Sequence, residues 1–246
     1  AGAAVATVSG QIMAALIVMK KGFRKSPHRQ VYPHHIAKIF QLGIPNILMQ
    51  SAYTFYILGL NLILATFSDQ AVTALGLYYK WQTFFFIPLG AMQTCIVPVI
   101  SYNYGAHRYK RVKQAAVTMG IMALIYTLLA WLAIILAPEF LISIFSSDKS
   151  LLADAVPAMK LYFGAFIFML LQYIGQTIFK SLNKKKQAIF FSLLRKVIIV
   201  IPMTYLLPYA FHMGTDGVFL AEPISNIIGG SLCFLVMIIS IRKELR

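Results

Sequence analysis

The stretch NYGAHRYKRV, residues 103–112, separates two apolar runs of bilayer length. FFFIPLGAMQTCIVPVISY lies ahead of it, and a second long apolar run follows. A spanning helix needs about 20 mostly apolar residues. A basic, Gly-containing loop between two such runs marks a cytoplasmic connection in a polytopic membrane protein. The chain is therefore read with the bilayer as its solvent, and the expected fold class is an all-α membrane bundle.

Seven segments meet or approach spanning length, at about residues 1–19, 44–66, 71–98, 114–137, 157–180, 187–211 and 217–241. Composition agrees, with 59% hydrophobic and 12% charged residues, where soluble domains carry about 25% charged. A net charge of +15 could suggest nucleic acid. The basic residues instead sit in short loops between apolar runs and no nucleic-acid motif is present, so no nucleic-acid partner is expected.

The loops set the orientation. Lys20, Lys21, Arg24, Lys25, Arg29 and Lys38 follow the first segment, and Arg108, Lys110, Arg111 and Lys113 follow the third. Lys180, Lys184, Lys185, Lys186, Arg195 and Lys196 are assigned to the fifth connection, and Arg242, Lys243 and Arg246 to the tail. These are 19 of the 22 Lys and Arg residues, on alternate loops. The positive-inside rule places those loops, and the C-terminus, in the cytoplasm of a multi-pass plasma-membrane protein. Pro88 and Pro202 have apolar turns on both sides and are the expected helix bends.

Polar residues recur inside the segments at helical spacing. Asn46, Gln50 and Tyr53 share one face, Gln82 and Gln93 align three turns apart, and Gln172 and Gln176 are one turn apart. Such stripes either join helices by hydrogen bonds or face a wet cavity, because unsatisfied groups in hydrocarbon are costly. With Glu222 and Asn226, which share a face of the last segment, these make four stripes in four segments and favour a shared, amide-rich cavity, with Asn46, Gln50, Tyr53, Gln82, Gln172 and Gln176 as its expected lining. Phe55, Trp81, Phe84 and Phe85 are near it in sequence.

Lys80 is the basic residue read as lying inside a segment, and Glu222 is the carboxylate inside an apolar run. Glu222 stands about five residues into its segment, roughly 8 Å from the end. It is either a helix-terminus acid followed by Pro223 or a proton- or substrate-linked group. Cys95 and Cys233 both lie in apolar runs, so no disulfide framework is expected. His34 and His35 lack Cys or carboxylate partners for a metal, and GxxxxGK[ST] is absent, so no metal, cofactor or ATP drive is expected.

Several strings together resemble the multidrug and toxic compound extrusion (MATE) family, in its bacterial multidrug-efflux branch. They are GAAVATVSGQ (2–11), PN-x-LMQS (45–51), ALGLYYKWQTFFFIPLGAMQTCIVPVISYNYGAHRYKRV (74–112) and DGVFLAEPISN (216–226). The most specific is P-x-x-SYNYGA-x-R-x-x-RV. The resemblance implies twelve helices in two six-helix lobes. The seven segments would be the sixth helix, truncated at residues 1–19, a cytoplasmic inter-lobe loop at 20–43, the second lobe at 44–241 and a cytoplasmic tail at 242–246. The chain is thus expected to be a fragment that lacks its N-terminal lobe.

The resemblance further implies a secondary active exporter, not an enzyme. It would exchange H+ or Na+ for amphipathic, often cationic, drug-like compounds by alternating access. Asn103, Gly105 and Arg108 would be gating or structural residues, with Gly105 supplying a positive-φ turn. Some branches place acidic cation ligands on the seventh and tenth helices. Segments 44–66 and 157–180 have no Asp or Glu, and carry Gln50 or Tyr53 and Gln172 near those places. The main coupling carboxylate is therefore expected in the missing lobe, with Glu222 an accessory. Two other readings stand beside this one. A lipid-linked oligosaccharide flippase needs several inward Arg or Lys, where only Lys80 is read as available. A membrane-embedded enzyme needs convergent acids or a metal motif.

Overall fold

The computed structural model describes residues 2–22, 32–145 and 149–244. The expected loop residues Arg24, Lys25 and Arg29, and Arg246 of the tail, lie outside that set, as do the side chains of Lys20, Lys21 and Asn46. The described secondary structure is helical throughout. In chain order it comprises α1 (Gly2–Gly22), α2 (Tyr32–Ala65), α3 (Asp69–Gly105), α4 (Tyr109–Leu136), α5 (Pro138–Ser143), α6 (Lys149–Tyr162), α7 (Phe166–Ser181), α8 (Lys185–Leu193), α9 (Ile201–Tyr209), α10 (Gly214–Ser225) and α11 (Ser231–Glu244). Two π-helical segments, Leu194–Val200 and Asn226–Gly230, join α8 to α9 and α10 to α11.

The chain forms two compact units, residues 1–44 and 45–246. The first holds α1, with an apolar stretch at Ala4–Met19, and the start of α2. Helix begins there at Tyr32, earlier than the segment boundary expected at 44. Among the described residues the second unit holds five helices of spanning length: Ile47–Ala65, Asp69–Gly105, Tyr109–Leu136, Lys185–Tyr209 and Gly214–Glu244. A sixth apolar element is the pair α6 and α7, bent by 47° at residues 163–165. The unit is a polytopic helical membrane bundle.

Local sequence explains the ends. Ser68 is extended at ψ 135 and its Oγ accepts from the Gln70 N–H at 3.1 Å, with Asp69 in the first turn of α3. That combination satisfies an orphan donor and complements the helix dipole. The turn after α3 has the double hydrogen bond of a Schellman stop, His107 N to Tyr104 O at 3.0 Å and Arg108 N to Asn103 O at 2.8 Å. The turn after α7 repeats it, Asn183 N to Lys180 O at 3.2 Å and Lys184 N to Phe179 O at 2.8 Å. The left-handed residues are His107 (φ 55) and Asn183 (φ 58). Gly105, expected to supply that conformation, is instead the last residue of α3, and a Cβ there would meet open space.

The two turns and the end of α11 share one end of the bundle. Lys184 Nζ is 2.6 Å from Glu244 Oε1, and Tyr104 Oη donates to Glu244 Oε2 at 3.2 Å. The opposite end is tied by Trp81 Nε1 to the Leu141 carbonyl at 3.0 Å and Tyr78 Oη to the Ala155 carbonyl at 2.6 Å. Between these ends runs a core of Leu89, Met119, Ala123, Leu170 and Tyr173. The outer faces are apolar as well: on α4, Val117, Ile121, Ile125 and Leu129 are exposed. Hydrocarbon as solvent accounts for exposed belts that water would penalise.

α3 runs unbroken through Pro88 and Pro98. Pro202 stands just beyond the π segment Leu194–Val200, and its missing N–H leaves the Ile198 carbonyl without its ordinary helical donor. The bend at 163–165, which no proline marks, centres on Gly164.

Candidate functional site

Two irregular helices meet inside the second unit. The π segments Leu194–Val200 and Asn226–Gly230 pack against each other. The second segment's close approach to the first and to α7 depends on missing side chains. A Cβ on Gly229 would lie 3.1 Å from Arg195 Cβ, and one on Gly230 would lie 2.5 Å from the Phe168 carbonyl oxygen. π-Turns inside membrane helices shift the side-chain register and frequently mark functional sites.

The shifted register buries a charge cluster. Arg195, Lys196 and Glu222 are 5%, 6% and 2% exposed. Arg195 Nη1 is 3.0 Å from Glu222 Oε1 and also donates to Asn226 Oδ1. Lys196 Nζ is 3.5 Å from the same Glu222 oxygen and 3.8 Å from the centroid of the Tyr56 ring. Tyr56 Oη donates to Glu222 Oε2 at 2.5 Å. Both carboxylate oxygens are therefore held by protein donors. Two basic side chains face one carboxylate.

This overturns two expectations. Arg195 and Lys196 are not loop residues of the fifth connection; they lie within the span Lys185–Tyr209. Lys80 is not the interior base: it is exposed on α3, with Nζ 5.1 Å from the centroid of the Phe145 ring. The signal for Arg195 and Lys196 was available. They stand nine and ten residues past Lys186, across the apolar stretch AIFFSLL. At 1.5 Å per residue that is roughly 14 Å, too deep for a loop assignment. Glu222 is neither shallow nor a terminal acid; it is the ninth residue of α10 and fully buried.

Beside the cluster lie two adjoining cavities of about 460 and 240 Å3. Gln50, Tyr53, Gln82 and Gln176 line the larger, with Phe86, Ser192, Lys180, Arg195 and Lys196. Gln172 and Gln176 line the smaller, which shares those three cations. Three of the polar stripes thus converge on one space. Asn46 sits one helical turn before Gln50, its side chain outside the described set. Gln82 also accepts from Tyr162 Oη at 3.3 Å, and Gln172 Nε2 donates to the Phe191 carbonyl at 3.3 Å. Gln93 faces the smaller cavity, where its Nε2 donates to Thr177 Oγ1 at 2.7 Å and its Oε1 accepts from Lys180 Nζ at 3.2 Å. Of the aromatic residues expected nearby, Tyr53 lines the cavity. Phe55 and Phe84 are exposed, and Trp81 and Phe85 belong to the core.

Asn103, Gly105 and Arg108 lie far along α3 at the Schellman turn. Asn103 Nδ2 donates to the Val99 carbonyl at 2.8 Å, and Arg108 is exposed at the start of α4. No group of three or more His, Cys, Asp or Glu side chains that could hold a metal occurs among the described residues.

The MatE family model matches residues 45–206. The multidrug export protein MepA of Staphylococcus aureus (strain N315) is 22% identical over 248 residues, which cover 95% of this chain and 52% of that protein. An FAD transporter of Shewanella oneidensis is 25% identical over 175 residues, covering 70% of this chain and 38% of that one. Among solved structures, a MOP superfamily transporter from Pyrococcus furiosus superposes with a TM-score of 0.88 at 18% identity, over 100% of this chain and 57% of that one. An outward-facing multidrug resistance MATE family transporter gives 0.85 at 17%, over 99% and 56%. At such identities the likeness concerns the fold. The chain spans about half the length of the curated relatives it matches.

Proposed function

The chain belongs to the MatE family, and from that premise we propose that it supplies one lobe of a secondary active exporter of small organic compounds. A preceding lobe would complete the transporter, as the half-length match to MepA suggests. The exporter works in the plasma membrane by alternating access, driven by H+ or Na+. The end carrying residues 103–113, the turn at 182–184 and the C-terminus faces the cytoplasm. Asn103 and Arg108 act there in gating or in holding the turn, while Gly105 closes α3 as an ordinary helical residue.

The observation that carries this reading is the cavity itself. Polar side chains from four separate helical elements, Gln50 and Tyr53, Gln82, Gln176, and Ser192, converge on one space beside two widened helices. Broken or widened helices near a polar space are how transporters bind cargo in mid-membrane. Glu222 is a poor cation carrier as it stands, because Arg195, Lys196 and Tyr56 already engage its oxygens. The main coupling carboxylate is accordingly assigned to the preceding lobe.

The test is drug-resistance profiling of the whole transporter. Gln50→Leu and Tyr53→Leu are expected to change the rank order of compounds exported while membrane abundance stays constant. If abundance and resistance fall together for all compounds, these residues serve packing and the cargo reading is wrong.

One observation favours a second reading. The flippase alternative lacked inward basic residues on sequence grounds, and Lys180, Arg195 and Lys196 all line the cavity. A lipid-linked pyrophosphate is cargo such cations could hold.

A further inference from the structure

We infer that the cavity recognises a negatively charged group of its cargo, a carboxylate or phosphate on a water-soluble amphipathic molecule, with Lys180, Arg195 and Lys196 as the anion ligands. This rests on the exporter reading and fixes the polarity of its cargo, against the sequence-based expectation of organic cations. Both cavities have these three cations in their walls and no carboxylate. Glu222, behind Arg195 and Lys196, offsets one of the positive charges. A cationic cargo would meet like charge on every basic wall, in a space where the surrounding hydrocarbon weakens screening.

The cations also have unused donors. The Arg195 Nε–H is buried and has no acceptor among the described residues. Lys196 Nζ has the Glu222 oxygen at 3.5 Å and otherwise the faces of Tyr56 and Tyr53, at 3.8 and 5.2 Å. Lys180 Nζ donates to the neutral amide of Gln93 at 3.2 Å. Buried cations in excess of their counter-ions are costly unless something else neutralises them. An oxyanion entering between Lys180 and the pair Arg195–Lys196 supplies the missing charge. Arg and Lys bind phosphate and carboxylate in this way. Tyr53 and Phe86 provide aromatic faces for a ring attached to that anion, and Gln50, Gln82 and Gln176 provide neutral hydrogen bonds.

The test uses the whole transporter in vesicles of zwitterionic lipid, under an imposed H+ or Na+ gradient. The probes are fluorescein and FAD as anions and rhodamine 6G as a ring-matched cation. The expected result is gradient-driven movement of both anions, with KM for them raised at least tenfold in Lys180→Gln. That variant leaves the Arg195–Lys196–Glu222 cluster intact, and Lys180→Arg should restore KM. Rhodamine movement should not weaken in Lys180→Gln. If rhodamine is exported and the anions are not, the exporter reading stands and the polarity assignment falls. If no probe moves, the exporter reading fails, and fluorescence anisotropy in detergent decides polarity separately: tighter binding of fluorescein than rhodamine, lost in Lys180→Gln, upholds it, and equal binding overturns it. Movement of a fluorescent phosphatidate without movement of FAD or fluorescein assigns the cations to a lipid headgroup and overturns the water-soluble cargo. Equal KM shifts for anions and cation show that the three residues only hold the fold, for example by pairing with acids of the preceding lobe.

Discussion

Arg195 Nη1 lies 3.0 Å from Glu222 Oε1, joining two positions 27 residues apart across a pair of widened helices. Arg195 is inside one π segment, and Glu222 stands one turn before the other. The pair is the hinge of the site's electrostatics: it anchors two cations beside the cavity with a single carboxylate.

Removing that carboxylate should cost stability before it costs coupling. Glu222→Gln leaves Arg195 and Lys196 buried without a counter-charge, a change worth about 3–5 kcal/mol when one partner of a buried pair is lost. A large drop in Tm in detergent is expected, and Glu222→Gln combined with Lys196→Met should recover part of it. Ion-driven efflux per folded molecule should persist in Glu222→Gln. Complete loss of that efflux with Tm and cargo binding intact would move the coupling site to Glu222.

Glycines at helix contacts should divide by what a Cβ meets. At Gly230 it would lie 2.5 Å from the Phe168 carbonyl oxygen, and at Gly217 2.8 Å from Pro208 N and 2.9 Å from Leu207 C. These are backbone atoms that cannot step aside. Gly230→Ala and Gly217→Ala should each destabilise the fold by about 1–3 kcal/mol, the range of overpacked cores. Gly76, inside α3, has nothing within 4 Å of its would-be Cβ. Gly76→Ala should be neutral or gain up to about 1 kcal/mol. Equal losses at all three positions would contradict the packing argument.

The turns after α3 and α7 make a paired prediction. Asn183 holds φ 58, which a β-branched residue adopts at a cost of about 1–2 kcal/mol. Asn183→Val should lower Tm, and Asn183→Gly should not. Gly105→Ala should leave Tm and transport unchanged, since Gly105 is helical with open space around it. A transport defect in Gly105→Ala, uniform over all cargo, would restore the gating role read from the sequence.

Topology can be read by thiol labelling of the whole transporter in intact cells, in a background lacking Cys95 and Cys233. Lys110→Cys, in the exposed first turn of α4, should resist an impermeant reagent. Glu139→Cys, exposed at the opposite end in α5, should react. The reverse pattern would invert the assigned orientation.

The apolar runs, their lengths and the basic string at 103–112 were sufficient for the membrane bundle, because hydrocarbon forces each crossing to satisfy its own backbone and so writes each helix into contiguous sequence. The helical stripes of Gln50, Tyr53, Gln82 and Gln176 were legible for the same reason: a 3.6-residue period fixes which side chains share a face. That they face one another across a single cavity is a matter of packing between helices. The cluster of Arg195, Lys196, Glu222 and Tyr56 was out of reach on two counts. Its members come from three separate spans, one of them 166 residues away, and π-turns shift the register, so their meeting depends on contacts that no local period encodes. A charge count by loops put Arg195 and Lys196 in a connection, whereas a buried carboxylate can hold both of them within a span. Local periodicity thus decided the helices and their faces, and only tertiary packing decided which charged side chains those faces bring together.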